Sequence, residues 1–216
     1  MLPNDIYMGI IYDSLRIMGE KYNDFYINIK PKCGYNSIIQ GNCFTTYGEI
    51  VKDWKVDYDK LDNIRLEMYK TEMFADNPIV FLQSNDDKVA HSGDITSLIY
   101  QKLGAVGFVT DGIVRDIDII DKMNFPIFCR DENPIDALGY WALTKYQQDI
   151  EIDGVKISPR DYSFASRDGV IIVRNELKDK FRKTALEQLE RENKVRRLIN
   201  ESSKTYEQIV EEMGRW

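Results

Sequence analysis

The sequence predicts an α/β fold: a domain over residues 1–175 built on a central parallel crossover unit, and a C-terminal helical extension over 176–216 that projects from it. Three observations carry this. Pro78-Ile-Val-Phe-Leu-Gln83 and Ala105–Thr110 are short apolar runs of the kind that form buried strands. Between them, Ile95, Leu98 and Ile99 recur at helical spacing after Gly93-Asp94, and Gly104 stands where a C-terminal cap belongs. Strand, loop, helix and strand in that order make a parallel crossover. The third observation is the charged, helix-forming run from Glu176 to about Asn200, followed by a shorter helix near 204–213.

Taken in order, residues 4–19 read as an amphipathic helix with Ile6, Ile10, Leu15 and Ile17 inward and Gly19 as its stop. Lys30-Pro31-Lys32 breaks the chain. Residues 37–46 read as a strand whose internal Gly41 marks a bulge or a close backbone approach. Residues 58–74 read as a helix with Leu61, Ile64, Met68 and Tyr69 (or Met73) on one side. Asp111-Gly112 ends the second strand of the crossover, and a helix begins near Arg115-Asp116 with Ile117, Ile120 and Met123 inward. Pro126–Cys129 is a short strand, 151–157 a hairpin turning at Asp153-Gly154, and Val170–Val173 a strand buried on both faces.

Composition sets the outer limits. The chain has 216 residues, 43% hydrophobic and 30% charged, as in ordinary globular proteins. A net charge of -7 argues against nucleic acid as an obligate partner, because phosphate binding calls for a basic surface. No apolar run approaches the roughly 18–20 residues that span a bilayer, so no membrane association is expected. Asp5 and Asp13, without a basic leader, do not read as a secretory signal. Cys33, Cys43 and Cys129 are odd in number and widely spaced, which suggests reduced thiols and a cytoplasmic protein.

The chemistry is expected where the loops leaving the two crossover strands meet, at the carboxyl end of the sheet. Asp116 is a natural ligand for Mg²⁺ or Mn²⁺ and also a candidate cap of the helix that begins there, two roles that do not exclude each other. Arg115 is suited to hold a substrate carboxylate through its fork, or else to form a structural ion pair. Gly93, Asp94, Ile95 and Thr96 open a helix whose free amides make an anion site. Asp94 would cap that helix or orient a catalytic water. His91, the sole histidine, reads as a polar loop residue more readily than as a base. Gly104 and Gly107 do not complete a dinucleotide fingerprint, and neither a P-loop nor a nucleophile elbow appears.

These residues carry a resemblance. Gly93-Asp94-Ile95-Thr96, Val109-Thr110-Asp111-Gly112-Ile113-Val114-Arg115-Asp116, Pro126-Ile127-Phe128, Asp153-Gly154-Val155 and Ser166–Val173 are the words of one family. It comprises regulator of ribonuclease activity A and the 4-hydroxy-4-methyl-2-oxoglutarate aldolases. Asp13–Arg16 and Gly41–Thr45 also resemble its opening words, so the match runs over roughly 10–175. Pro159-Arg160-Asp161 stands where the family has Pro-Gly-Asp, Arg174 replaces a frequent proline, and 47–77 fits poorly.

The resemblance implies a swivelling β/β/α-type domain, a homotrimer or homohexamer, and a metal-dependent aldolase or decarboxylase that releases pyruvate from a 2-oxo acid. Asp116 would bind the divalent cation, Mg²⁺ or Mn²⁺, and Arg115 the pyruvyl part of the substrate. The amides of Gly93 to Thr96 would hold its carboxylate, and Asp94 a proton-carrying water. A glutamate from a neighbouring subunit's C-terminal helix, here Glu192 within Arg191–Arg196, would join them. The competing expectation is a catalytically silent oligomer that regulates another protein.

Overall fold

In the computed structural model, residues 2–3, 5–52, 54–201 and 203–214 are described. The elements are helix α1 (Met8–Ile17), strands β1 (Tyr26–Ile27), β2 (Pro31–Cys33) and β3 (Ile39–Ile50), and helix α2 (Trp54–Tyr69). Then come β4 (Ile79–Gln83), β5 (Ala90–Ser92), α3 (Asp94–Leu103), β6 (Gly107–Thr110), β7 (Ile113–Val114), α4 (Ile117–Lys122), β8 (Ile127–Phe128) and β9 (Asp131–Glu132). The chain ends with β10 (Trp141–Tyr146), β11 (Ile150–Ile152), β12 (Val155–Ile157), β13 (Tyr162–Ser166), β14 (Gly169–Val173), α5 (Lys178–Glu201) and α6 (Tyr206–Met213).

The main sheet runs β1-β14-β13-β3-β4-β6-β8-β2, with β10 also paired to β3. Strand β3 joins its two regimes. Residues 39–42 pair antiparallel with β13, and residues 43–47 pair parallel with β4. Strands β4, β6 and β8 continue in parallel, so the predicted crossover β4–α3–β6 is present. Its strands are buried on both faces, Val80 and Phe108 against Met68, Tyr100 and Ile120 of the helices, Phe81 and Val109 against Ile152 and Val155 of the β11–β12 hairpin. All four strand residues are at most 1% exposed. Gly41 is a point of close approach: a Cβ there would lie 2.5 Å from the Asn77 carbonyl oxygen. The hairpin β11–β12 turns at Asp153 (φ 54°) and Gly154 (φ 78°), the paired positive φ values of a type I′ turn.

Three expectations need correction. Ile17 is 52% exposed, because α1 ends there and the side chain falls outside the packed stripe of Ile10, Ile11 and Leu15. On α3 the apolar residues Ile95 and Leu98 face outward, while Ser97 and Tyr100 are buried. Strand β3 runs on to Ile50, since β10 supplies ladder partners from Thr46 onward. On α2, Met68 is buried and Ile64 and Tyr69 pack beside it; the Met73 side chain lies outside the described residues. The first half of α5 belongs to the core, where Phe181, Ala185 and Leu189 pack with Ile10, Ile11 and Leu15 of α1. Helix α6 folds back on α5, with Arg191 donating to the Met213 carbonyl at 2.8 Å.

Candidate active site at the carboxyl end of the parallel strands

Each of the parallel strands β4, β6 and β8 is followed by a short second strand. These pair with one another as a small parallel sheet, β5-β7-β9. This explains how two turns some twenty residues apart meet. Ala90 pairs with Ile113 and Ser92 with Val114, and the Arg115 N–H donates to the Ser92 carbonyl at 3.0 Å. The residues that leave these strands, Gly93 on one side and Arg115-Asp116 on the other, are therefore neighbours. Asp111 ties the underside, accepting the Ser84 N–H at 2.7 Å.

Asp116 has a left-handed backbone (φ 63°, ψ 30°) and makes no side-chain cap to α4. It stands at the N-cap of α4 without a cap bond from its side chain, and the turn points the carboxylate back at α3. There its Oδ2 accepts the Asp94 N–H at 3.4 Å. The first amides of a helix lack carbonyl partners and carry the positive end of the helix dipole. Gly93 precedes them as the N-cap, and Asp94 is the first helical residue with no side-chain cap of its own. The missing side chain at Gly93 makes the approach possible: a Cβ there would stand 2.6 Å from Asp116 Oδ2 and 3.0 Å from Arg115 Cγ.

Arg115 is held by two carboxylates, through Nε to Asp116 at 3.3 Å and through Nη1 to Asp136 at 3.0 Å. The structural ion pair is therefore present, and the guanidinium is still one-third exposed. The Leu138 N–H, and next the Arg115 guanidinium, hold the Asp136 carboxyl below the usual carboxylate range. Gly93, Thr96, Ser92 and Arg115 line an open cavity of about 170 Å³, joined by Leu61 and Arg65 from α2.

Glu192 is not part of this cluster within the chain. It lies on α5 against α1, accepting hydrogen bonds from the Tyr7 hydroxyl and from Arg196 Nη2. His91 is more than a polar loop residue, since its side chain is wholly buried in β5. Its Nε2 faces Asp86 Oδ2 at 3.2 Å, Nδ1 accepts the Ile113 N–H at 3.1 Å, and the ring packs on Trp141 at 4.6 Å. Accepting at Nδ1 leaves the proton on Nε2 for Asp86, so neither nitrogen is available as a base. Burial works against ionised Asp86, but hydrogen bonds from Lys88, Val89, Tyr140 and His91 outweigh it and lower its pKa. The sequence shows His91 and Asp86 only as two polar residues five apart; their pairing depends on the turn between β4 and β5.

Among the described residues, no group of three His, Cys, Asp or Glu side chains has the spacing of a metal cage. The donor set here is of the sparser kind. Mg²⁺ is commonly held by one or two carboxylates with water and substrate filling the rest. Asp116, one-third exposed beside a glycine that leaves space, fits that pattern.

A mixed α/β domain with an acid, a guanidinium and a helix N-terminus at the carboxyl end of its parallel strands defines the class. The chain belongs to the RraA-like family, described as aldolase/RraA, whose sequence profile matches residues 11–172. A protein of Halalkalibacterium halodurans named "Putative 4-hydroxy-4-methyl-2-oxoglutarate aldolase" is 33% identical over 112 residues, 52% of this chain and 53% of that protein. The chain thus matches about half the length of that relative. Among solved structures, an uncharacterized protein from Pseudomonas syringae superposes with a TM-score of 0.76 at 21% identity, covering 95% of this chain and 92% of the other. Streptomyces coelicolor RraAS2, described as an unusual member of the RNase ES inhibitor RraA family, gives 0.71 at 17% identity over 89% and 92%. At these identities the two structures establish the fold alone.

Proposed function

We propose that this chain is a divalent-metal-dependent carbon–carbon lyase that cleaves a 2-oxo acid to pyruvate, with a 4-hydroxy-4-methyl-2-oxoglutarate-like substrate. Oxaloacetate decarboxylation would be its side activity. The observation that carries the reading is the shared turn, in which Asp116 and Arg115 meet the N-terminus of α3 while Arg115, Gly93 and Thr96 line a small cavity beside it.

Asp116 would hold the cation, Mg²⁺ or Mn²⁺, with water completing its shell. When bound, such a cation acts as a Lewis acid toward the oxygens of a 2-oxo acid. Arg115 offers its fork to the pyruvyl end and stabilises negative charge as the carbon–carbon bond breaks. The Ile95 and Thr96 amides, left unpaired by helix geometry, hold the carboxylate beside the open space at Gly93. Asp94, half-buried next to them, positions the water that returns a proton to carbon. Glu192 would assist from a neighbouring subunit; in its own chain it lies apart from the site, against Tyr7 and Arg196.

A homotrimer or a pair of trimers would supply that neighbour. Ile95 (65% exposed), Leu98 and Ile119 on α3 and α4 support this, since they leave apolar surface next to the site. A cytoplasmic setting suits three buried free cysteines; burial pushes Cys33 and Cys129 up to about 12 and Cys43 further, so all stay as thiols. Among the described residues no helix is long and apolar enough to cross a membrane.

The test is pyruvate release from oxaloacetate and from 4-hydroxy-2-oxo acids with Mg²⁺ or Mn²⁺, compared with EDTA and with metal alone. Turnover above the metal-only rate, abolished by EDTA, supports the lyase. No turnover on any 2-oxo acid leaves the protein-binding regulator as the reading of this fold.

A further inference from the structure

The cavity beside Arg115 has a second guanidinium on its wall, and it comes from the part of the chain that fits the family words least. Helix α2 is anchored by Met68, fully buried, and by Ile64 and Tyr69 packed beside it. On that anchored helix, Leu61 and Arg65 are one turn apart and both line the cavity. The two arginines differ in what they already hold. Arg115 is paired with Asp116 and Asp136. Arg65 is exposed and has no ion pair or side-chain hydrogen bond among the described residues.

A second polar group in the same cavity also lacks a partner. Ser92 is 5% exposed, and its buried hydroxyl has no hydrogen-bond partner among the described residues. A buried hydroxyl left unpaired is costly, and such groups are as a rule satisfied by protein, water or ligand. Ser92 immediately precedes Gly93 and lines the same cavity as Arg65 and Arg115.

Size narrows the ligand. The cavity measures about 170 Å³, close to the roughly 150 Å³ that holds one benzene molecule in an engineered core. That suits an acid of a few carbons. A short 2-oxo acid held at its pyruvyl end by Arg115 would share this cavity with the Arg65 guanidinium and the Ser92 hydroxyl, both without a partner among the described residues.

We propose that Arg65 and Ser92 form a second anion subsite that selects substrates whose distal end carries a negative group, a carboxylate or a phosphate. This deepens the lyase reading and rests on it for the pyruvyl end. Arg65 is the specificity-determining residue, because its planar fork matches both oxyanions. Ser92 adds one neutral hydrogen bond.

The test compares 4-hydroxy-2-oxo acids of equal chain length that end in a carboxylate, a phosphate or an uncharged amide. Each is assayed with the wild-type chain, Arg65→Gln, Arg65→Lys and Ser92→Ala. The quantity read is the ratio of kcat/KM for a charged-ended substrate to that for the amide. It falls about 10- to 100-fold in Arg65→Gln, as expected for a hydrogen bond to a charged group, mainly through KM. Arg65→Lys restores part of it, and Ser92→Ala lowers it less. Whichever of the two charged ends shows the larger wild-type ratio identifies the natural group. A ratio unchanged in Arg65→Gln overturns the subsite.

If the wild-type chain turns over no 2-oxo acid, the lyase reading fails and the subsite is decided by calorimetry. Short dicarboxylates and phospho-carboxylates are then titrated against matched monocarboxylates. A dianion preference lost in Arg65→Gln upholds the subsite; equal binding by both proteins overturns it.

Discussion

Gly93 and Asp116 are complementary: the space a Cβ would occupy on Gly93 is 2.6 Å from Oδ2 of Asp116. The Gly93 backbone is extended (φ -149°, ψ -163°), so the glycine is required by its neighbour and not by its own conformation. Gly93→Ala should therefore fold but push the carboxylate away from the α3 amides. A displacement of about 1 Å at a reacting centre can cost on the order of 100-fold in rate. The expected result is a loss of that size in metal-dependent turnover with a melting temperature near that of the wild type. A melting temperature that collapses together with activity would mean the position serves packing.

Arg160 gives a prediction about stability alone. It stands where the family word has glycine, and it has φ +70°. An L-residue in the left-handed region is disfavoured by roughly 1–2 kcal/mol, part of which glycine forfeits through unfolded-chain entropy. The bonds at this position, from the Arg160 N–H to the Cys43 carbonyl and from Lys178 to the Arg160 carbonyl, are made by the backbone and survive substitution. Arg160→Gly should therefore stabilise by about 0.5–1 kcal/mol. Urea denaturation checks it, and a destabilised variant would show that the Arg160 side chain holds the turn.

His91 predicts the response to acid. Burial lowers its pKa, with Asp86 opposing, so the folded chain takes up this proton below the ordinary 6.5. Between the folded value and 6.5 the unfolded chain binds more protons, so stability rises with pH across that window. Its contribution is complete above about 6.5 and is lost on acidification at up to about 1.4 kcal/mol per pH unit. Asp86, with a lowered pKa, adds a separate loss below the ordinary carboxylate range. In His91→Gln, which keeps a donor for Asp86 and an acceptor for the Ile113 N–H, the slope of melting temperature between pH 6.5 and 5 should flatten. An unchanged slope would assign the acid sensitivity to other groups.

Much of this arrangement is legible in the chain, because local rules govern it. The apolar runs of β4 and β6, the caps Gly93 and Gly104, and the Asp153-Gly154 turn each announce an element within a few residues. The crossover brings the Gly93 and Asp116 turns to the same end of the sheet, while the β5–β7 pairing that makes them neighbours has no signal of its own in the sequence. What was not legible depends on distant partners. The length of β3 is set by β10, a hundred residues away. The left-handed turn at Asp116, which frees it from capping α4, has no marker in a non-glycine residue. The His91–Asp86 pair needs the turn after β4, and Arg65 reaches the cavity only because Met68 anchors α2. Helical spacing in α3 identified the helix but not its buried side, since Ser97 and Tyr100 occupy the core in place of Ile95 and Leu98.

Glu192 tests whether the site is composite. If the acid serves a neighbouring subunit, chains bearing Asp116→Asn and chains bearing Glu192→Gln should each be inactive alone. Co-refolded, they should regain turnover, because some sites combine an intact Asp116 with an intact Glu192. Mixtures as inactive as their components would confine Glu192 to its pair with Tyr7 and Arg196.

The most direct test is Asp116→Asn, studied by Mn²⁺ titration calorimetry and by pyruvate release from oxaloacetate. Asparagine tolerates the left-handed backbone and keeps an oxygen for the Asp94 N–H, so the fold should stand. The wild-type chain should bind Mn²⁺ and release pyruvate, and the variant should melt as the wild type does but neither bind the ion nor exceed the metal-only rate. A variant with full metal-dependent turnover would contradict the role of Asp116 as metal ligand.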